Sequence, residues 1–271
     1  MFKLVDQAGG FATRYFLALF LIAYTFTVGV FSRKCRDLIY VILNYFGYYL
    51  PHKVQTSIPR VALEELVDTS VPVEIAESGW VQGNATALEL VALSAFVKRY
   101  KPKTIFEIGT FDGRTTLNLA LNAPADAKVY TIDLAKDTGA TPSLAVTLTD
   151  NKLIHTNVTG SRFKNAPSHL RQAADKITQL YGDSATFDFR PYHGTVDLVF
   201  VDAAHTYDYV VNDSEVAFKL LRGGKGVILW HDYDFSPKKG IVRALNEYQA
   251  AHPEWKMFHI KDTHTAGVAF V

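Results

Sequence analysis

The sequence predicts an α/β fold: a doubly wound, Rossmann-like and mostly parallel sheet of seven strands, closed by a C-terminal antiparallel hairpin and preceded by hydrophobic N-terminal helices. Three observations carry this. Short, almost continuously apolar runs alternate with segments of helical period, the pattern of a sheet covered on both faces. The last two runs are joined by KDTHT alone, too short for a parallel crossover. The first fifth of the chain differs in kind, with no formal charge from residue 15 to residue 32.

Composition narrows the function. With 28 Lys+Arg against 27 Asp+Glu the net charge is +1, unlike the clearly basic surface of a bulk nucleic-acid binder. A 48% hydrophobic and 13% aromatic content excludes general disorder. The single cysteine, Cys35, excludes an intramolecular disulfide framework and multi-cysteine metal sites. Chemistry must come from carboxylates, histidines, hydroxyls or a bound cofactor.

Taken in order, the apolar stretch Tyr15–Phe31 would span roughly 26 Å as a helix, just short of a bilayer core of about 30 Å. Arg33, Lys34 and Arg36 follow it, and Lys3 and Arg14 precede it. A second run, Leu38–Leu50, ends at Pro51 and suits an interfacial or re-entrant helix. Three readings stay open: a membrane anchor or transmembrane helix, a buried helix pair for oligomerisation, and a cleaved signal peptide, the last disfavoured for want of a small-residue cleavage site. The basic cluster after the run would keep the remainder cytoplasmic. Residues 52–78, interrupted by Pro59 and Pro72, read as a linker, and the main domain is expected from Gly79 to the end.

Within that domain Ala85–Tyr100 has helical spacing, and Lys103–Gly109 is a strand. Thr115–Leu121 is a helix and Lys128–Leu134 the next strand. A long connection then runs to the third strand, Ile177–Tyr181, with a helix expected at Ser168–Lys176. Connections of this length are usually functional or disordered. Val196–Asp202 and Gly226–Asp232 read as buried strands, Val210–Leu221 as the helix between them, ended by Gly223-Gly224, and Ile241–Ala251 as a helix stopped by Pro253. Trp255–Ile260 and Ala266–Val271 form the hairpin.

The segment Glu107-Ile-Gly109-Thr110-Phe111-Asp112-Gly113-Arg-Thr115 joins the first strand to its helix. Its glycines permit a sharp turn and close approach of backbone to ligand, and the helix N-terminus favours an anion. The spacing is neither the G-x-G-x-x-G of dinucleotide enzymes nor a P-loop. Asp133 ends the second strand, where an acid can accept from both hydroxyls of a ribose.

These stretches, E-I-G-T-F-D-G-R-T followed by Y-T-I-D-L, resemble motifs I and II of class I S-adenosylmethionine-dependent methyltransferases. The terminal hairpin resembles the last strand of that fold. Gly182-Asp183-Ser184 and FVDAAHTYDYVVNDSE resemble the small-molecule branch that includes macrocin-type sugar O-methyltransferases. The resemblance covers roughly residues 79–271. It implies a cofactor set of Glu107, Gly109, Thr110, Phe111, Gly113, Thr115, Asp133, Leu134, Asp183, Ser184 and Asp202. Within it, Glu107 and the glycines would hold the methionine end, Asp133 the ribose, and Asp183 the adenine amine. The hydrophobic N-terminus departs from the pattern.

A further constellation is Asp202, His205, His231 and Asp232, at or just beyond the ends of two buried strands. Asp202 and Asp232 would face one crevice and could hold Mg²⁺ or a similar hard cation. His205, Asp202 and His231 are the catalytic candidates, a histidine acting as general base where no metal does. Against this, Asp232 could cap a helix or pair with Lys238, His231 could point to the opposite face by strand alternation, and His205 could be a surface residue. Tyr207 and Tyr209 read as packing. Trp80, Gln82 and Asn84 resemble a segment that covers the active site, and His259 and His264 read as structural. The expected activity is O-methylation of a small molecule or sugar acceptor. The rivals are a non-catalytic nucleoside-binding scaffold tethered by its N-terminal helices, and a nucleotide-dependent oxidoreductase. No nucleic-acid partner is expected, and a homo-oligomer stays open.

Overall fold

The computed structural model describes residues 11–45, 55–134, 141–156, 158–234 and 239–270. The chain divides into two compact units, residues 1–53 and 54–271.

The first unit holds helices α1 (Phe11–Phe26) and α2 (Arg33–Tyr45), joined by a 3-10 turn at Val28–Phe31. The turn is tight: a Cβ on Gly29 would lie 2.9 Å from Cys35 Sγ. Thr25 and Thr27 return their hydroxyls to the carbonyls of Leu21 and Ala23, each at 2.7 Å. Arg36 donates to the Val30 carbonyl at 3.1 Å. The uninterrupted apolar run expected from residue 15 to residue 31 is therefore broken at Thr27. α1 has 16 residues, about 24 Å of helix. No helix among the described residues is long and apolar enough to cross a membrane, which corrects the expectation of a transmembrane helix. Lys3, Pro51 and the end of the second apolar run lie outside the described residues.

The second unit is built on one sheet with strands β1 (Arg60–Val61), β2 (Thr104–Ile108), β3 (Lys128–Asp133), β4 (Ile177–Tyr181), β5 (Leu198–Val201), β6 (Gly226–Trp230), β7 (Phe258–Ile260) and β8 (Ala266–Phe270). Their order is β1-β7-β8-β6-β5-β2-β3-β4. All neighbours are parallel except β8, antiparallel to β6 and β7. The chain order reverses between β2 and β5, which places a ligand crevice above the ends of those strands. Helices α3 (Ala87–Tyr100), α4 (Arg114–Asn122), α5 (Leu148–Thr156), α6 (Tyr207–Leu220) and α7 (Lys239–Ala251) complete it, with shorter turns. The apolar strands serve two cores. Phe200 and Leu229 pack with Phe96, Leu117 and Phe258. Phe106, Val199 and Trp230 pack with Leu220 and Leu245.

The structure differs from expectation in three places. The sheet has eight strands, because Arg60–Val61 adds to the edge beside β7. That strand comes from the stretch expected as a linker, and this stretch is part of the larger unit. The backbone N–H groups of Glu74 and Ala76 donate to Asn122 and Asn118, and the same two amides return to their carbonyls. A stretch without apolar period is thus held by side chains that satisfy its backbone. Finally, the helix expected at Ser168–Lys176 is a 3-10 turn, Ser168–Leu170, running into Arg171–Ala174.

Two buried polar side chains stake the loop after β2. Arg114 donates to the carbonyls of Glu77 at 2.6 Å and Ala85 at 2.7 Å. Glu107 is fully buried in mid-sheet and accepts from Thr116 and Thr131. Burial pushes its carboxyl up to about 8 against those two bonds, with Asp202 and Asp133 adding repulsion. Folding therefore takes up a proton at Glu107 between its ordinary range and about pH 8, and the stability tied to it is lost as pH rises through that window. Glu107→Gln should flatten that part of the urea-denaturation stability-versus-pH curve, leaving the acid side unchanged. Arg114→Met should fold but lose about 2–3 kcal/mol by the same measurement, because a buried and a half-buried carbonyl lose a charged donor.

Candidate active site

The crevice forms where β2 and β3 end. Gly109 has φ +103, and a Cβ there would lie 2.1 Å from the Asp202 carbonyl oxygen, so only glycine lets β2 and β5 close up at this point. Gly113, with φ +84, sits against the Phe163 ring and starts α4. Between them, the Phe111 N–H donates to Asp133 Oδ2 at 2.7 Å, and Leu134 N–H donates to Oδ1 at 2.8 Å. Burial lifts the Asp133 carboxyl to about 6 despite these bonds. Each of its oxygens keeps a lone pair for a ligand hydroxyl.

Among the lining residues are Ile108, Gly109, Phe111, Ile132, Asp133 and Leu134 on one side, and Gly182, Asp183, Ser184, Asp202, His205 and Tyr209 on the other. Pro142, Val146, Asp150, Leu153 and Ile154 of the long connection also line it, with Gly83. Of the residues expected at the cofactor, Glu107, Thr110, Gly113 and Thr115 are not on this wall. Glu107 is a buried staple, as above. Thr110 bonds Thr131 and Gln179. Gly113 and Thr115 belong to the start of α4.

Asp183 is heavily engaged. It accepts from Tyr209 Oη at 2.9 Å and from the N–H groups of Ser143 and Ala185 at 2.6 and 3.0 Å. Burial would raise its carboxyl, but these bonds outweigh it and hold it below the usual range. Tyr209 is thereby a wall residue, whereas Tyr207 is paired with Glu247 under the Arg243 guanidinium. Asn84 donates to Asp112, and the Trp80 indole donates to the Asn84 carbonyl. His259 bonds the Thr263 carbonyl and His264 bonds Asp234, so both are tied within the hairpin region.

At the other end, β5 and β6 bring acids and imidazoles together. His205 is buried, which corrects the surface alternative. Its Nδ1 lies 2.6 Å from Asp150 Oδ1, and its Nε2 lies 2.7 Å from Asp232 Oδ2. His231 stands on the same side as Asp232, not opposite, because Asp232 takes φ +64 and breaks strand alternation. His231 Nδ1 lies 3.2 Å from Asp202 Oδ1 and 3.4 Å from Asp232 Oδ2, and Nε2 lies 3.1 Å from Glu89 Oε2. Burial opposes its charge, but Asp202 and Asp232 outweigh that and raise its pKa well above the ordinary value. The alternative partner for Asp232, Lys238, lies outside the described residues. One ligand atom from each of Asp202, His231 and Asp232 lies within 4.8 Å of the others, spacing that fits a metal ion.

Asp150 and Glu89 were missed by sequence reasoning. Both sit in capping pairs, Thr147 with Asp150 and Thr86 with Glu89. Those T-x-x-D and T-x-x-E patterns mark helix starts in the sequence, but not what the acids would meet.

Residues 106–233 match the family described as a methyltransferase domain. Among curated proteins none matches. Among solved structures, a cofactor-bound protein Rv0187 from MTB is 19% identical over 71% of this chain and 84% of its own, with a TM-score of 0.50. The O-methyltransferase TomG from Streptomyces achromogenes, in complex with SAM, is 18% identical over 75% and 94%, with a TM-score of 0.48. An O-methyltransferase from Bacillus cereus, in complex with SAH, is 19% identical over 70% and 84%, with a TM-score of 0.47. The first likeness shows the fold. With that fold and the Glu107–Thr115 turn in agreement, residues 106–233 match a methyltransferase domain.

Proposed function

We propose that the chain methylates an oxygen of a small molecule or sugar, with a divalent cation assisting. The observation that carries this is the continuity of one crevice from Asp133, where a ribose can be held, to Asp202 and His205, where a hydroxyl can be deprotonated. S-adenosylmethionine supplies an electrophilic methyl on a sulfonium. Asp133 would bind its ribose, with Ile108, Ile132 and Leu134 offering apolar surface and the Gly109 turn allowing close approach. Asp183 and Ser184 would stand beside the adenine, Asp183 with little spare acceptor capacity.

At the acceptor end His205 takes the hydroxyl proton. Asp150 holds one ring nitrogen, Asp232 faces the other, and the two carboxylates stabilise the imidazolium. A cation held by Asp202 and Asp232 would lower the pKa of an acceptor hydroxyl. The wall would hold donor and acceptor together for in-line transfer. A nucleoside-binding scaffold would need no Asp150–His205–Asp232 array.

The N-terminal hairpin is read as lying in the surface layer of a membrane, with the catalytic unit on the cytoplasmic side. α1 is apolar and broadly exposed: Phe16, Leu19, Phe20, Leu21, Ile22 and Tyr24 are open, while Thr25 is buried. So wide an apolar surface suits burial among lipid chains at the membrane surface. The Thr25 and Thr27 hydroxyls are satisfied by carbonyls of the helix, and Lys34 and Arg36 suit anionic headgroups.

Two measurements test this. Calorimetric titration with S-adenosylmethionine should show binding that Asp133→Ala weakens by roughly 1–3 kcal/mol. No binding by a folded sample would favour the scaffold. In flotation assays, vesicles containing phosphatidylserine should carry the full chain upward. Phe16→Glu with Phe20→Glu should leave it at the bottom. A chain that ignores vesicles and sediments as a dimer would point to oligomerisation instead.

A further inference from the structure

We propose that Asp202, His231 and Asp232 form a site for a divalent transition metal that accepts an imidazole ligand, with Glu89 as the positioning residue that aims His231 at it. This deepens the cation-assisted reading above and rests on it for the use of the metal.

His231 is the observation that selects the metal class. It is only 7% exposed, and its Nδ1 has no hydrogen bond of acceptable geometry. A buried imidazole left so is costly unless something else meets it. Its Nδ1 points between two carboxylates, 3.2 Å from one and 3.4 Å from the other. Three ligand atoms within 4.8 Å of one another surround the space a cation would fill. The backbone is bent to make this arrangement. Asp232 holds φ +64, uncommon for a residue with a side chain, and this brings its carboxylate to the His231 side.

Glu89 completes the design. It is wholly buried, and its Oε2 lies 3.1 Å from His231 Nε2. Its own position is set by N–H donors of Thr86 at 2.6 Å and His264 at 2.8 Å. A carboxylate that takes the proton of one imidazole nitrogen leaves the lone pair of the other for a metal, the usual outer partner of a ligating histidine. Charge agrees: Glu89, Asp150, Asp202 and Asp232 are buried or half-buried acids gathered around His205 and His231. Two carboxylates and one neutral imidazole suit Mn²⁺, Co²⁺ or Zn²⁺. Mg²⁺ favours oxygen ligands and keeps its waters.

The test uses the full chain stripped of metal by chelation, titrated calorimetrically with Zn²⁺, Mn²⁺ and Mg²⁺ in separate runs. One equivalent of Zn²⁺ should bind at least about tenfold more tightly than Mg²⁺. Bound Mn²⁺ should show nitrogen modulation from one imidazole in pulsed paramagnetic resonance, and His231→Asn should abolish it. Glu89→Gln should weaken Zn²⁺ binding by about 10–100-fold, with folding checked by circular dichroism. Metal binding without nitrogen modulation, or unchanged in folded His231→Asn, overturns the proposal. So does a folded chain that takes up none of the three ions, in which case a charged His231 is itself the cation. A parallel titration with S-adenosylmethionine separates the readings. Cofactor binding without metal binding defeats this inference and the cation's part in the reaction but leaves methyl transfer standing, and metal binding without cofactor binding defeats only the methyltransfer reading.

Discussion

The site depends on one backbone contact. Gly109 lies so close to the Asp202 carbonyl that any side chain would overlap it. Gly109 N–H bonds the Ile132 carbonyl and Asp202 N–H bonds that of Ile108, so three strand ends are drawn together where the sheet order reverses. This contact is what sets the loop after β2 and the Asp202–His205 loop on the two sides of a single crevice. A bulkier residue would part β2 from β5 and open the crevice between them.

Around that contact the protein assigns different charge states to similar side chains. Glu107 and Glu89 are both wholly buried. Glu107 meets hydroxyls and two nearby acids, so burial wins and its carboxyl rises to about 8. Glu89 also suffers burial, but the His231 imidazole and two backbone N–H groups outweigh it and bring its carboxyl down to about 2. The neutral acid staples strands, and the charged one serves the imidazole cluster. The same residue type has two roles because the partners differ, not the depth.

The long connection does more than cover the crevice. Its Asp150 reaches His205, and its Arg162 pairs with Asp112 at 2.8 Å and Glu77 at 2.9 Å. Arg162 therefore ties the loop after β2 to the stretch before α3, while Arg114 holds that stretch from below. The long connection, the loop after β2 and the 77–85 segment are thus joined by polar contacts.

The order of helices and strands, the parallel sheet with its antiparallel end, the Gly109–Gly113 turn and Asp133 were legible in the sequence, because each rests on local period, spacing or backbone freedom. The pairing of Asp202 with Asp232 was legible from strand ends. That His231 joins them was not, since strand alternation argues against it and only the left-handed turn at Asp232 reverses the outcome. Nor could the sequence show that Asp150 and Glu89 serve His205 and His231. Each is separated from its histidine by a long stretch of chain, and each looks locally like a helix cap. Sequence determined which chemical groups stand at which strand ends, because those positions follow from short-range geometry. Tertiary structure alone decided which of them meet and which are charged, because contact and burial are set by elements distant in the chain.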